Sequence, residues 1–300
     1  MIHDSFLKNM PHGFPDLKKA LGLCVQKPGH PRSASIACSQ SGQCYAAGAV
    51  ASDTHLLDIT SEQAALVLAS GHADFAVRRI ATITETEDDA SVSISPLVLK
   101  LLIDHERRTG VPITYSVYGM TGNVLFEATT PRALCPYYEA PIVPLQKTRN
   151  GRPGQNSTRW EAAKETLQEA LKKAALQGSE RAFTTHDAGS RYGASVATKS
   201  GMVYFGGQYS GFEKRIGLHA EMNALIAALM DGGKDITHIG VVSDKYPDSP
   251  CPLCGCCRQF IAELSQKYGI TPLIYSFAKE NHVLSEHTLE ELLPDGWKSA

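Results

Sequence analysis

An internal repeat at one constant offset is the feature that most constrains the fold of this chain. A shift of 159 positions, which carries Glu62 onto Glu221, brings the two halves into register without a gap. The matches under that shift include Ser41-Gly42 with Ser200-Gly201, Tyr45 with Tyr204, Gly48 with Gly207, Ala65-Leu66 with Ala224-Leu225, Ile80 with Ile239 and Gly110 with Gly269. A single offset sustained over about a hundred residues predicts a duplicated domain.

The predicted domains occupy residues 1–145 and 156–300, joined by a linker at 146–155. That segment is polar and rich in Gly and turn-forming residues. The 300 residues, 43% hydrophobic and 20% charged, suit two globular domains that each bury a core.

Helical and strand-like patterns alternate along the second half. Thr158 and Glu161 match a capping box, which predicts a helix from there to Gly178. The further predictions are strands at 194–198 and 202–205 around a Ser200-Gly201 turn, a helix at 219–230, a strand at 236–243, a helix at 257–267 and a strand at 272–276. This order indicates an α/β fold with three layers, α/β/α, around a central mixed sheet in each domain.

The charge balance favours a small molecule over a polynucleotide as partner. Twenty-nine basic and 31 acidic residues give a net charge of −2, without the basic excess that phosphate binding requires. We expect no nucleic-acid partner and no membrane partner, and the N-terminus lacks a signal-peptide pattern. Eight cysteines then indicate a reducing, cytoplasmic setting with free thiols or metal ligands.

Four of the eight cysteines lie between Cys251 and Cys257, beside a second motif that can bind metal. His219 stands at the start of one predicted helix, and Cys254 and Cys257 stand at the start of the next. A helix N-terminus stabilises the thiolate form that zinc requires. Three ligands leave the fourth tetrahedral position for water, which is typical of a catalytic zinc site.

Glu221, two residues after the histidine, is placed to move protons to and from that water. The pattern matches the H-x-E and P-C-x-x-C signature of zinc nucleobase deaminases. Taken singly, the motifs have other interpretations: a redox-active Cys-x-x-Cys, a capping histidine, or a structural site closed by four thiolates. Their occurrence together on two helices separated by a strand favours catalytic zinc.

The residues around these motifs resemble the cytidine deaminase family. The segment Cys254-Gly-Cys-Cys-Arg-Gln259 is similar to the Cys-Gly-x-Cys-Arg-Gln run that opens the family's second metal helix, and His219-Ala-Glu221 is similar to the first motif. We therefore choose His219, Cys254 and Cys257 as zinc ligands. Cys251 remains the alternative, because Pro250-Cys-Pro-Leu-Cys254 also fits P-C-x-x-C. Cys256 is expected to face away from the site.

The resemblance implies hydrolytic deamination of cytidine or deoxycytidine. Water adds at the amino-bearing carbon, Glu221 transfers protons, and ammonia leaves. Arg258, beside a ligand, is either a donor to a thiolate or a solvated helix residue. The alternatives to this function are a modified cytosine nucleoside or another amino-heterocycle as substrate, a polynucleotide editor, and a non-enzymatic protein stabilised by zinc.

The substrate segment departs from the family. Where the family has an Asn-x-Glu pair that binds the ribose, this chain has Gln208-Tyr209-Ser210, so a strong charged acceptor is lost. We assign Gln208, Ser210 and Ala220 as substrate contacts. The family's base-stacking aromatic falls near Ser190, and either Tyr192 or Tyr209 is a candidate to replace it.

The first half has lost the metal ligands. Thr60, Ser95 and Val98 stand at the positions of the three ligands, while Glu62 persists as a helix-start carboxylate. Family members with one degenerate half pair into dimers, which implies a homodimer here. In those members the active half usually comes first, so this chain has the order reversed.

Overall fold

The computed structural model describes residues 13–26, 31–54, 57–86, 94–128, 130–135, 154–184, 190–211 and 216–296. The chain forms two compact units. No helix among these residues is long and apolar enough to cross a membrane. The predicted linker at 146–155 falls mostly outside the described residues, as does the N-terminal segment, so the domain boundaries stay a prediction.

The first unit is built on a five-stranded sheet. Its elements are α1 (Gly13–Gly22), β1 (Ser33–Ser39), β2 (Cys44–Gly48), α2 (Ser61–Gly71), β3 (Val77–Thr84), α3 (Pro96–Thr109), β4 (Thr114–Gly119), β5 (Val124–Ala128) and α4 (Pro131–Leu134). The strand order is β2-β1-β3-β4-β5. β3 and β4 pair in parallel, whereas the other neighbours pair antiparallel, which makes the sheet mixed.

Helices cover both faces of this sheet. Successive strand residues point to opposite sides, so each face presents its own side chains to a helix. Ile36 of β1 packs in one apolar cluster with Leu17 and Leu21 of α1. Its neighbour Ser35 points the other way and hydrogen-bonds Ser61, the first residue of α2, at 2.8 Å. The sheet is therefore the middle of three layers.

The second unit has a six-stranded sheet. Its elements are β6 (Ser157–Arg159), α5 (Leu167–Glu180), β7 (Tyr192–Thr198), β8 (Met202–Gly207), α6 (Ala220–Met230), β9 (Ile236–Ser243), α7 (Gly255–Tyr268), β10 (Leu273–Phe277), β11 (Leu284–His287) and α8 (Leu289–Leu292). The strand order is β11-β10-β9-β7-β8-β6. Only β9 and β10 among the described strand pairs of this unit run parallel.

Adjacent glycines at the end of β8 let helices approach both faces closely. A Cβ on Gly206 would lie 2.7 Å from the backbone nitrogen of Ala224 in α6. A Cβ on Gly207 would lie 2.3 Å from the carbonyl oxygen of Gly178 in α5. Larger residues at either position would force the helices away from the sheet. The α/β/α layering predicted for this half is thus confirmed.

The constant offset is confirmed by the bounds of the elements. Shifted by 159 positions, β1, α2, β3 and α3 coincide at both ends with β7, α6, β9 and α7. The irregularity in strand register between Cys38 and Ser39 likewise has its counterpart between Ala197 and Thr198. The prediction of two duplicated α/β/α folds with mixed sheets is correct.

The predicted start of the first helix of the second half is wrong. Thr158 lies in β6, which pairs with β8, and the capping box is formed instead by Thr166 and Glu169. Gly178 does not end the helix, which continues to Glu180. The sequence contains two Thr-x-x-Glu runs, and strand pairing decides which one begins a helix.

The expectation that all cysteines are free thiols or ligands is also wrong. Cys38 and Cys44 face each other on β1 and β2 and form a disulfide. Six other cysteines are free. A directly opposed antiparallel pair brings two Cβ atoms close enough for a bond, which the sequence spacing alone did not indicate.

Candidate active site

Two helix N-termini bring the predicted metal ligands together. His219 is the N-cap of α6 and Cys254 is the N-cap of α7. The Nδ1 atom of His219 lies 3.2 Å from the Cys254 sulfur and 3.3 Å from the Cys257 sulfur. The parallel strands β9 and β10 place these helix starts at the same edge of the sheet.

The three side chains form the one cluster of potential metal ligands found among the described residues. In a tetrahedral zinc site, bond lengths near 2.0–2.3 Å put neighbouring sulfur and nitrogen ligands about 3.6–3.8 Å apart. The observed separations are a few tenths of an ångström shorter, so a zinc ion fits with a slight outward movement of the side chains. Donor set and spacing both suit zinc.

Electrostatics at the helix start favour a thiolate at Cys254. The hydrogen bond from the Cys257 thiol is the largest cause that lowers the pKa of Cys254 to about 3, and His219 and the backbone N–H of Cys257 act in the same direction. Conversely, the pKa of Cys257 is raised by its interaction with the Cys254 sulfur and by burial. The hydrogen bond to Cys254 raises the pKa of His219.

Neither of the other two nearby cysteines joins this cluster. Cys251 is fully buried and lies outside the cluster that His219 forms with Cys254 and Cys257. Cys256 is exposed and lies outside the cluster. The geometry therefore brings together Cys254 and Cys257, rather than the alternative pair that contains Cys251.

Glu221 lies beside the thiols in the first turn of α6 and is 4% exposed. Burial is the largest cause that raises the pKa of its carboxyl group, opposed by its own backbone N–H and by His219. A raised pKa brings a carboxyl group nearer to the range in which it can both accept and return a proton.

A cavity of about 310 Å³ opens onto these groups. It is lined by Tyr192, Gln208, His219, Ala220, Glu221, Tyr246, Pro252, Leu253 and Cys254. Its volume is at the lower end of the range for ligand pockets, and its walls combine aromatic and polar groups. Tyr192 and Tyr246 supply flat rings, so the cavity suits a small heterocycle.

The predicted substrate contacts divide into two groups. Gln208 and Ala220 line the cavity, whereas Ser210 does not. The Gln208 amide donates to the Ser210 hydroxyl at 2.7 Å, and the Gln208 Oε1 atom is a buried acceptor for which no partner is found among the described residues. Residues 185–189 and 212–215, which adjoin this region in sequence, lie outside the described residues.

The choice between two candidate aromatic residues is decided by burial. Tyr209 is 1% exposed and stacks on Phe183, with ring centroids 4.7 Å apart, so it belongs to the core. Tyr192 lines the cavity. Tyr246, Pro252 and Leu253 also line it and were not identified from the sequence. Their position in the loop that follows the carboxyl end of β9 was an available signal.

Arg258 is not a partner of a thiolate. Its Nε atom donates to the Leu253 carbonyl at 3.0 Å and its Nη1 atom to the Leu292 carbonyl at 2.8 Å. These bonds connect the start of α7 to the loop before it and to α8. Arg258 is therefore neither a donor to a thiolate nor a solvated helix residue, because its side chain binds two backbone carbonyls.

In the first unit, the corresponding positions are occupied by residues that cap helices. The Thr60 hydroxyl accepts from the Gln63 N–H at 3.2 Å, and the Ser95 hydroxyl accepts from the Leu97 N–H at 3.2 Å. Glu62 lies in the first turn of α2, as expected, but it is also buried and accepts from the Tyr115 hydroxyl at 2.8 Å.

Comparison with known proteins gives relatives of one kind. No family model matches the chain. It is 36% identical over 96 residues to the cytidine deaminase of Halalkalibacterium halodurans, covering 31% of this chain and 69% of that protein. The cytidine deaminase of Sporosarcina psychrophila is 30% identical over 102 residues, covering 34% and 71%.

Solved structures similar to this one include two cytidine deaminases. That of Burkholderia pseudomallei has a TM-score of 0.39 at 26% identity and matches 44% of this chain and all of its own. That of Mycobacterium tuberculosis has a TM-score of 0.37 at 23% identity and matches 45% and 100%. On the identity and coverage of the two sequence relatives, this chain belongs to the cytidine deaminase family of hydrolytic enzymes.

Proposed function

We propose that the second unit is a zinc-dependent deaminase that converts cytidine or deoxycytidine to the uridine form with release of ammonia. The observation that carries this proposal is the meeting of His219, Cys254 and Cys257, with His219 Nδ1 at 3.2 and 3.3 Å from the two sulfurs, beside buried Glu221. The similarity to proteins named cytidine deaminase supports the choice of substrate.

His219, Cys254 and Cys257 would hold the ion. When bound, zinc supplies a Lewis acid that makes water nucleophilic near neutral pH. Two thiolates and a neutral imidazole suit the ion's ligand preferences and leave one coordination position open. The ligand side chains, fixed by the starts of two helices, need little rearrangement to accept it.

Glu221 carries the proton transfers. Its carboxylate takes one proton from the attacking water and passes it to the ring nitrogen. It then takes the second proton from the newly added hydroxyl and passes it to the departing amine. The balance is one water consumed, one C–N bond broken, one C–O bond formed and one ammonia released. Because the carboxyl pKa is raised by burial, both protonation states are accessible during the cycle.

The cavity walls position the ring. Tyr192 and Tyr246 offer faces for stacking, and the backbone at Ala220 lines the cavity between His219 and Glu221. Gln208 lines the cavity, and its Oε1 atom is a buried acceptor without a partner among the described residues. A neutral acceptor is weaker than a carboxylate.

A second candidate substrate class is favoured by that same residue. The Gln208 side chain donates to Ser210, so this segment presents a neutral amide and a hydroxyl where the family has an amide and a carboxylate. A modified cytosine nucleoside or another amino-heterocycle would suit such a pocket. We retain this alternative for substrate choice only; membership of an enzyme family excludes the non-enzymatic protein stabilised by zinc.

Assembly and location follow as proposals from the family resemblance. We expect a homodimer, a nucleoside partner without nucleic acid, and a role in pyrimidine salvage in the cytoplasm. The net charge of −2 supports a small nucleoside over a polynucleotide.

The test is Glu221→Gln in the full chain loaded with zinc. The loss of proton transfer should lower kcat for cytidine by roughly 10²–10⁴-fold, measured as ammonia release and as the fall in cytidine absorbance. Zinc content and melting temperature should not change. The matched control is Glu263→Gln, which alters another buried glutamate on α7 and should retain turnover.

Two results would contradict the proposal. Turnover by Glu221→Gln at the rate of the unchanged enzyme would remove Glu221 from the mechanism. Absence of ammonia from both nucleosides, with activity on another amino-heterocycle in a substrate panel, would keep the chemistry and replace the substrate.

A further inference from the structure

The first unit contains a cavity of its own at the place where the second unit has its candidate active site. Its volume is about 310 Å³, equal to that of the cavity beside Glu221. Five lining positions correspond under the shift of 159 residues, namely Ser33 with Tyr192, Thr60 with His219, Glu62 with Glu221, Ile94 with Leu253 and Ser95 with Cys254. Loss of the metal ligands has therefore left the cavity open rather than filled.

This cavity is not a metal site. Thr60 and Ser95 use their hydroxyl oxygens to cap α2 and α3, and Val98 offers an apolar side chain. No cluster of potential metal ligands is found in the described part of the first unit. Without a metal-ligand cluster among the described residues, this cavity lacks the means that the second unit has to activate water.

A buried carboxylate lines the cavity. Glu62 is 6% exposed, and its Oε1 atom accepts from the Tyr115 hydroxyl at 2.8 Å and from the Thr82 hydroxyl at 3.0 Å. Its Oε2 atom has one long contact, 3.5 Å to the Ser61 hydroxyl, which is at the limit of a hydrogen bond. A carboxyl oxygen can accept more than one such bond, so Oε2 retains capacity as an acceptor.

The Tyr115 hydroxyl keeps the carboxylate in place. Burial is the largest cause that raises the pKa of Tyr115, and the Glu62 charge acts in the same direction, so the hydroxyl stays protonated and donates. Thr82 in turn hydrogen-bonds Ser35, and Ser35 bonds Ser61. The acceptor is thus held rigidly, which lowers the entropic cost of binding a ligand to it.

The remaining walls define the chemistry of the ligand. They are apolar at Pro31, Ile94, Val98 and Val117 and carry hydroxyls at Ser33, Thr84, Thr86 and Ser95. No Lys, Arg or His is among the lining residues that the structure describes, so these residues offer no counter-charge to a phosphate beside Glu62. Apolar walls, hydroxyls that donate or accept, and one carboxylate suit a neutral heterocycle with an amino group.

We propose that the cavity of the first unit is a second, non-catalytic binding site for a neutral amino-heterocycle, such as a cytosine nucleoside, whose exocyclic amine donates to Glu62. The hydroxyls meet the ring and sugar polar atoms, and Val98 and Val117 contact the ring. The site stands on the geometry of the first unit and does not require the second unit to act on cytidine.

The experiment uses methyl NMR of the full chain with labelled Ile and Val, in the Glu221→Gln background so that the ligand is not consumed. Cytidine and uridine are the probes, because cytidine has an exocyclic amine where uridine has a carbonyl oxygen. Cytidine should shift the methyl signals of Ile94, Val98 and Val117, and uridine should bind there roughly tenfold more weakly because it lacks the donor.

Two variants locate the binding. Glu62→Gln keeps the shape of the side chain and an acceptor for Tyr115, and it should weaken cytidine at the Val98 and Val117 signals roughly tenfold. Thr84→Phe fills part of the cavity and should abolish those shifts while leaving Val196 and Val203 signals of the second unit in place. The result with Glu62→Gln can be interpreted even if Thr84→Phe fails to fold.

Three outcomes would overturn the proposal: no shift at Val98 and Val117 with millimolar cytidine, equal affinity for cytidine and uridine there, or full affinity in Glu62→Gln. Because the signals of each unit are read separately, failure of cytidine to bind in the second unit would count against the proposed function and not against this site.

Discussion

The two buried glutamates, Glu62 and Glu221, occupy the same position in the repeat but differ in their neighbours. Glu62 accepts from Tyr115 and Thr82. The residues that correspond to these two donors in the second half are Ile274 and Val241, which carry no hydroxyl. The carboxylate is therefore held by these donors in the first unit, whereas in the second it is buried and interacts with His219, Cys254 and Cys257.

The same contrast extends along the sheet. The hydroxyls of Ser35 and Ser61, which continue the first-unit network, correspond to Ala194 and Ala220. In the second unit, burial is the largest cause that raises the pKa of Glu221, in the direction that a proton shuttle needs. The same backbone therefore holds a glutamate in both units, and its surroundings differ at four side chains: Ser35, Ser61, Thr82 and Tyr115 carry hydroxyls that their counterparts lack.

The helix N-caps also carry different residues in the two units, with hydroxyl side chains in the first and candidate metal ligands in the second. A side chain at an N-cap position points toward the free N–H groups of the first turn. In the first unit, Thr60 and Ser95 use this direction to cap. In the second, the His219 side chain makes no cap bond and faces the Cys254 sulfur, which also accepts from the Cys257 N–H at 3.5 Å. Loss of a metal site at these positions therefore costs the fold little when Thr or Ser replaces the ligand.

The largest effect expected is from Cys257→Ala. Removing one of three ligands should reduce zinc from one ion per chain toward none and lower turnover by at least about 10³-fold, since neither the open coordination position nor the ion is retained. Metal analysis and ammonia release measure both. The control is Cys256→Ala, the exposed neighbour, which should keep zinc and activity. If Cys256→Ala loses as much zinc as Cys257→Ala, the assignment of Cys257 as a zinc ligand is contradicted.

A medium effect is expected from acidification of the first unit. His105 of α3 is fully buried, and burial lowers its pKa to about 4 from 6.5. It takes up a proton on unfolding, so stability present above the unfolded pKa is lost as pH falls from about 6.5 toward about 4, by about 2 kcal/mol at pH 5.

The second unit has Leu264 at the corresponding position, so His105→Leu should remove this pH dependence. Urea unfolding at pH 7.5 and pH 5 by circular dichroism measures it. Both tryptophans are in the second half, and their fluorescence reports that unit separately. The control His282→Leu, at an exposed position, should keep the loss. An unchanged loss in His105→Leu would assign it to other groups.

The smallest effect expected is from Val241→Thr, which copies Thr82 into the second unit. A hydroxyl that donates to Glu221 should lower its pKa, shift the acid limb of the kcat/KM profile to lower pH and reduce the rate roughly tenfold. Val242→Thr, on the other side of the strand, should leave the profile in place. If Val241→Thr changes neither the acid limb of the kcat/KM profile nor the rate, the apolar side chain at position 241 does not control the pKa of Glu221.

Much of this could be predicted from the sequence. The offset of 159 positions was visible in scattered identities, and Ile236–Ser243 was identified at both ends because a continuous apolar run marks a buried strand. The start of α5 was not, because Thr158-x-x-Glu161 and Thr166-x-x-Glu169 satisfy the same local rule. Pairing of β6 with β8 depends on residues distant in sequence.

The sequence by itself determined the duplication, the α/β class and the residue types able to bind zinc, since these depend on periodicity and local motifs. Only the tertiary structure decided that Cys257 and not Cys251 faces His219, that Tyr192 and not Tyr209 lines the cavity, and that Arg258 binds carbonyls. Those choices depend on burial and direction, which arise when β9 and β10 bring two helix starts together.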